Sequence, residues 1–156
     1  MSNKSELYNE LNFSLTAMTE GCRYMTANLA NASALAYERL EDVNWFGFYL
    51  MQEGRLVLGP FQGKVACVEI ELGCGVCGTA AVRGETVVVP NVHEFSGHIP
   101  CDGASNSEIV VPIFANGKLF GVLDVDSPSF RRFSDEDKAG LEIFSGIIGG
   151  LAERYE

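Results

Sequence analysis

Apolar side chains return every three to four residues over 5–18, with Leu7, Leu11, Leu15 and Met18 on one stripe. That spacing predicts an amphipathic helix. Gly21 interrupts it, and a second helical stripe of Met25, Leu29, Ala32 and Ala36 falls within 23–40. The same period closes the chain, where Leu141, Phe144, Ile148 and Leu151 mark a helix reaching about Glu153. Ser134, three positions before Asp137, predicts a capping box at its start.

Between these helices the period drops to two. Over 43–50, Val43, Trp45, Gly47 and Tyr49 alternate with Asn44, Phe46, Phe48 and Leu50. Both sets are largely apolar, so this strand is expected at the centre of a sheet covered on both sides. Further strands are expected at 55–61 after the Glu53–Gly54 turn, at 65–72, and at 86–89, where Pro90 stops the run. Residues 75–82 fit a short helix, and 91–107 read as an ordered loop rich in glycine and small polar residues. Strands at 108–115 and 118–126 flank Asn116–Gly117, a signal for a two-residue type I′ hairpin. The order is two helices, about six mostly antiparallel strands and a closing helix. This is an α+β arrangement, expected as a single domain over 1–156.

The hairpin raises a question of facing. Asp124 and Asp126 share one side of their strand, and such a pair is costly to bury without partners. It could bind an ammonium group, hold a metal ion or share a proton. A regular two-residue turn pairs Ala115 with Lys118 and sets Ile109 opposite Asp124, which turns Glu108 away from both aspartates. A bulge near Pro112, or early departure from regular pairing, would return Glu108 to their side.

Trp45 and Tyr49 stand roughly 13 Å apart along their strand, with Gly47 between. They are either two core aromatics or the walls of a pocket with a glycine floor, suited to a cationic or sulfur-containing ligand.

Charge narrows the partners. The formal net charge of -10 disfavours nucleic acid and anionic membrane surfaces, both of which reward basic patches. No apolar run approaches the roughly 20 residues needed to span a bilayer, and the opening residues lack the features of a secretory signal. Five cysteines without such a signal point to reduced thiols and a cytoplasmic location. Cys74 and Cys77 form a C-x-x-C pair, and with His98 and Cys101 they approach structural zinc spacing. Redox-active thiols, a zinc site and small buried hydrophobes all remain open on spacing alone.

The segments NWFGFYL, LGPFQGKVAC, GVCGTAA, HIPCDGASNSEIVVPI and GVLDVDS, in this order, resemble the free methionine-(R)-sulfoxide reductase family, whose members are GAF-domain enzymes. The resemblance runs from about Leu29 to Phe133 and implies a GAF-like fold. It also implies thioredoxin-dependent reduction of the free amino acid's R sulfoxide through a cysteine sulfenic acid and a disulfide. Matched to the family's motifs, Cys101 becomes the attacking thiol, and Cys67 and Cys77 the resolving or recycling thiols. Glu108, Asp124 and Asp126 become acids serving both catalysis and substrate binding, and Trp45 and Tyr49 pocket aromatics. The family further implies a homodimer, no bound cofactor, thioredoxin as external reductant, and no metal. Cys74 and Cys22 receive no role. The competing expectation is a GAF module that senses a small molecule without catalysis.

Overall fold

The computed structural model describes residues 3–97 and 103–156. Helix α1 spans Lys4–Thr19 and α2 spans Met25–Arg39; strands β1 (Trp45–Gln52), β2 (Arg55–Gly63) and β3 (Glu69–Ile70) follow. Helix α3 (Gly75–Arg83), β4 (Val87–Val89), a 3-10 turn (Val92–Glu94), β5 (Ser107–Ala115), β6 (Lys118–Ser127) and α4 (Asp135–Tyr155) complete the described elements. The strands lie in the order β3-β2-β1-β6-β5-β4, and every neighbouring pair is antiparallel. The expected α+β arrangement is the observed one, with β1 and β6 at the centre.

Alternation along the strands sorts two cores. Phe46, Phe48, Ile109, Val111, Leu123 and Val125 face α1, α2 and α4, where they meet Leu11, Leu15, Leu29, Leu141, Phe144 and Ile148. Trp45, Tyr49, Val110 and Val122 face the other way, under α3, with Leu56, Ile70, Val76 and Cys77. Strand β1 therefore carries apolar side chains on both faces because both faces are covered.

The helical core is closed by a charged hub. Ser134 and Asp137 form the expected capping box at the start of α4. Asp137 also accepts hydrogen bonds from Tyr8 Oη at 2.8 Å, Lys4 Nζ at 2.7 Å and Arg132 Nη1 at 3.1 Å. Burial alone would raise this carboxyl, but Lys4, the Ser134 amide, Tyr8 and Arg132 together hold it down at about 2.

One expected strand is mostly absent. Of 65–72 only Glu69–Ile70 pairs, against Leu56 and Val57 of β2. The preceding residues leave the sheet because two of their carbonyls are taken by aromatic side chains: Lys64 O accepts from Trp45 Nε1 at 3.0 Å, and Cys67 O from Tyr49 Oη at 2.8 Å. No helix among the described residues is long and apolar enough to cross a membrane.

Candidate active site

The facing of Glu108 is decided by one residue. The β5–β6 hairpin starts as expected, with Ala115 opposite Lys118 and Phe114 opposite Leu119, but Ile113 then pairs with Gly121. Phe120 is the extra residue, a bulge on β6 close to where the sequence required one. The slip sets Val110 opposite Asp124 and Glu108 opposite Asp126. Across the sheet, Trp45, Asp126, Glu108 and Val89 now form one row, and Gly47, Asp124, Val110 and Val87 the next. All three acids share the face under α3.

There they crowd together. Glu108 is hydrogen-bonded to both Asp124 and Asp126, and Glu108 and Asp124 are buried while Asp126 is partly exposed. Cys77, in the first turn of α3, is 4 % exposed, and its thiol shares a hydrogen bond with Asp124. Ligand-type atoms of Cys77, Glu108 and Asp124 lie within 4.8 Å of one another. Burial, followed by the charges of Asp124 and Asp126, pushes the Glu108 carboxyl well above the usual range. Burial, then Asp124 and Glu108, raises the Cys77 thiol likewise. Such a cluster pushes Glu108 toward the protonated form, in which it can donate, and Cys77 toward the thiol.

The pocket over these acids is lined further by Trp45, Tyr49, Val65, Ala66, Cys74 and Ser105. Trp45 and Tyr49 do not face each other across a glycine floor. Their rings stack at 6.0 Å and 23°, and Phe61 also stacks on Trp45 at 5.0 Å. A Cβ on Gly47 would overlap Phe61 Cβ and approach Trp45 Cη2 to 2.8 Å. The glycine thus lets the rings close over the strand, and the aromatics make one continuous wall beside the acids. Burial and then Asp124 and Cys77 raise the Tyr49 phenol, which remains a donor.

Of the cysteines, Cys67 is disulfide-bonded, whereas Cys22, Cys74 and Cys77 are free. Cys67 lies on the segment that forms the pocket's rim, and Cys77 lies beneath, among the acids. Cys101, expected as the attacking thiol, and His98, part of the zinc spacing, fall outside the described residues. Two pocket residues with polar or sulfur-bearing side chains were not anticipated. Cys74 is the N-cap of α3 and lines the pocket, although the motif match left it without a role. Ser105 is buried, with its Oγ 3.5 Å from Asn44 Oδ1; a small polar residue in a glycine-rich loop carries no signal that would single it out.

A curled antiparallel sheet with helices on both faces and an acid- and thiol-lined pocket under a short helix defines a class, and the GAF domain family model matches residues 27–151. A free methionine-R-sulfoxide reductase of Escherichia coli strain K12 is 55 % identical over 139 residues, covering 89 % of this chain and 84 % of its own. The enzyme of that name from Saccharomyces cerevisiae is 48 % identical over 154 residues, covering 94 % and 86 %. The X-ray structure of free methionine-R-sulfoxide reductase from Neisseria meningitidis, in complex with its substrate, superposes with a TM-score of 0.94 at 40 % identity, covering 99 % of this chain and 94 % of that one. The chain belongs to the GAF domain family and, within it, to the free methionine-(R)-sulfoxide reductases, which are oxidoreductases.

Proposed function

We propose that this protein reduces free L-methionine (R)-S-oxide to L-methionine in the cytoplasm, as a homodimer, with thioredoxin as external reductant and no bound cofactor. The observation that carries the reading is a disulfide-bonded Cys67 on the rim of a pocket floored by three crowded carboxyl groups, with Glu108 pushed toward its protonated form. A reducible sulfoxide needs a thiol nucleophile at sulfur and a proton at oxygen; the acid cluster supports the second requirement, and a redox-active cysteine beside it supports the first.

In the proposed sequence, the Cys101 thiolate attacks the sulfoxide sulfur while Glu108, backed by Asp124 and Asp126, protonates the oxygen. The new S–S bond then breaks as the hydroxyl passes from the substrate sulfur to the Cys101 sulfur, so methionine leaves with its sulfur reduced and Cys101 carries a sulfenic acid. Cys67 attacks that sulfur, water departs, and the Cys67–Cys101 disulfide is opened by thioredoxin. Cys77 serves as a recycling thiol. Asp126, at the more open edge of the cluster, holds the substrate ammonium, and the Trp45–Tyr49 wall takes the methylthio end. The first turn of α3, where helix N–H groups lack intrahelical partners, borders the same space and favours a carboxylate.

The test is stereospecific consumption of free methionine-(R)-sulfoxide in the presence of thioredoxin and its reductase. Wild-type protein is expected to consume the R epimer and leave the S epimer. Cys101→Ser is expected to lose turnover by at least about 10³-fold, as for removal of a covalent nucleophile. Binding of the sulfoxide without its consumption would replace the enzyme by a sensing module.

A further inference from the structure

The aromatic wall has a second face. Tyr49 and Trp45 present their rings to the pocket, but their polar tips point into the backbone that carries Cys67. Tyr49 Oη donates to the Cys67 carbonyl at 2.8 Å, and Trp45 Nε1 donates to the Lys64 carbonyl at 3.0 Å. Between the end of β2 at Gly63 and the start of β3 at Glu69, the chain runs outside any strand. A third hold is Leu58 N–H on Val68 O at 2.9 Å. The bond from Tyr49 is the one made to the reactive residue itself.

The donor is well fixed. Tyr49 is 2 % exposed, stacked on Trp45, which is stacked in turn on Phe61. The Trp45 ring also leaves no room for a side chain at Gly63, where a Cβ would stand 2.5 Å from Trp45 Cδ1. A phenol locked by its ring and tied to one carbonyl sets where the neighbouring Cβ and Sγ can reach. Disulfide closure needs a near-linear approach of one sulfur to another, and small misplacements are costly in such steps.

We propose that Tyr49 is a positioning residue for Cys67, acting through its hydroxyl, so that the wall receiving the substrate also sets the reach of the resolving thiol. This rests on the reading that Cys67 resolves a sulfenic acid. In that step the Cys67 sulfur is oxidised and the sulfenic sulfur reduced, an S–S bond replaces S–H and S–O, and one water leaves. Tyr49 exchanges no proton in it.

Tyr49→Phe keeps the ring stack and removes only the hydroxyl. With free methionine-(R)-sulfoxide and thioredoxin, kcat is expected to fall about 10-fold while KM for the sulfoxide changes less than twofold. In quenched single-turnover reactions, sulfenic acid trapped by dimedone should accumulate in the variant and not in the wild type. Trp45→Phe, which loses the anchor at Lys64 together with part of the stacked ring, should show the same accumulation of sulfenic acid at about 2- to 3-fold in kcat. A raised KM with no accumulated sulfenic acid would place the hydroxyl on the substrate and overturn the proposal. So would a loss of kcat matched by a lowered melting temperature without trapped sulfenic acid. A parallel arm forms the sulfenic acid with hydrogen peroxide and follows disulfide closure directly. Unslowed closure in Tyr49→Phe there would sink the positioning role, whereas absence of methionine from the wild-type sulfoxide reaction would sink only the substrate assignment.

Discussion

Two carboxylates stand on opposite sides of one sheet, and their surroundings drive them in opposite directions. Asp137, on the side of α1 and α4, gathers Lys4, Arg132, Tyr8 and its own helix cap, and is held down at about 2. Glu108, on the side of α3, gathers Asp124 and Asp126 and is raised well above the usual range. Both are buried. The difference lies in the sign of the neighbours, and it separates a carboxylate that ties helices together from a carboxyl group pushed toward its protonated form. Burying a charge with partners fixes structure; burying an acid among acids stores a proton.

The contrast can be broken by mutation. Glu108→Gln keeps the shape but removes the proposed proton donor, so reductase kcat should fall by about 10²-fold or more. Its unfolding free energy should move by no more than about 1 kcal/mol; a large loss of stability with activity retained would make Glu108 a structural acid after all. Asp137→Ala should do the reverse, costing about 3 kcal/mol in urea unfolding because it strands Lys4, Arg132 and Tyr8 around an empty centre.

The pH dependence sharpens the same comparison. Asp137 has a depressed folded pKa, so its contribution is fully present above its ordinary value near 4 and is lost as pH falls towards about 2. That loss is on the order of 2 kcal/mol, and Asp137→Asn should flatten it in acid-unfolding curves. Glu108, with a raised folded pKa, works the other way: its contribution is present at low pH and fades as pH rises through the folded value. Activity that depends on the Glu108 proton should decline over the same rise, and a rate that instead climbs steadily with pH through that range would remove Glu108 as donor. The smallest effect expected is at the cap, where Ser134→Ala should cost about 1 kcal/mol of stability and leave the kinetics of the folded enzyme alone.

Much of this arrangement was legible in the residues themselves. The period-two alternation of 45–49 correctly sent Phe46 and Phe48 to one core and Trp45 and Tyr49 to the other. The Ser134–Asp137 box and the Asn116–Gly117 turn are local chemistry, and they formed where local chemistry placed them. The strand expected at 65–72 shrank for a tertiary reason: the Cys67 carbonyl, and that of Lys64 just before the segment, bond to phenol and indole groups from β1. No propensity within 65–72 reports that. The glycine-floored pocket failed similarly, because Phe61, brought opposite Gly47 by a register shift in β2, filled the space the glycine opened. The facing of Glu108 was underdetermined, though Gly121 was a hint. A glycine inside a strand often marks a bulge or a close approach, and a Cβ at Gly121 would indeed collide with the Tyr49 carbonyl.

That bulge at Phe120 makes the site a matter of odd and even. With the extra residue, the partners on β5 and β6 add up so that acid meets acid; without it, every side chain of one strand beyond the bulge would turn over. Deleting Phe120 would therefore not distort the acid cluster gradually. It would press Glu108 against Phe46 and the helices or force Asp124 and Asp126 there instead, and no register in between exists. The chemistry of this domain rests on a count, and a count has no half-way value through which it could drift.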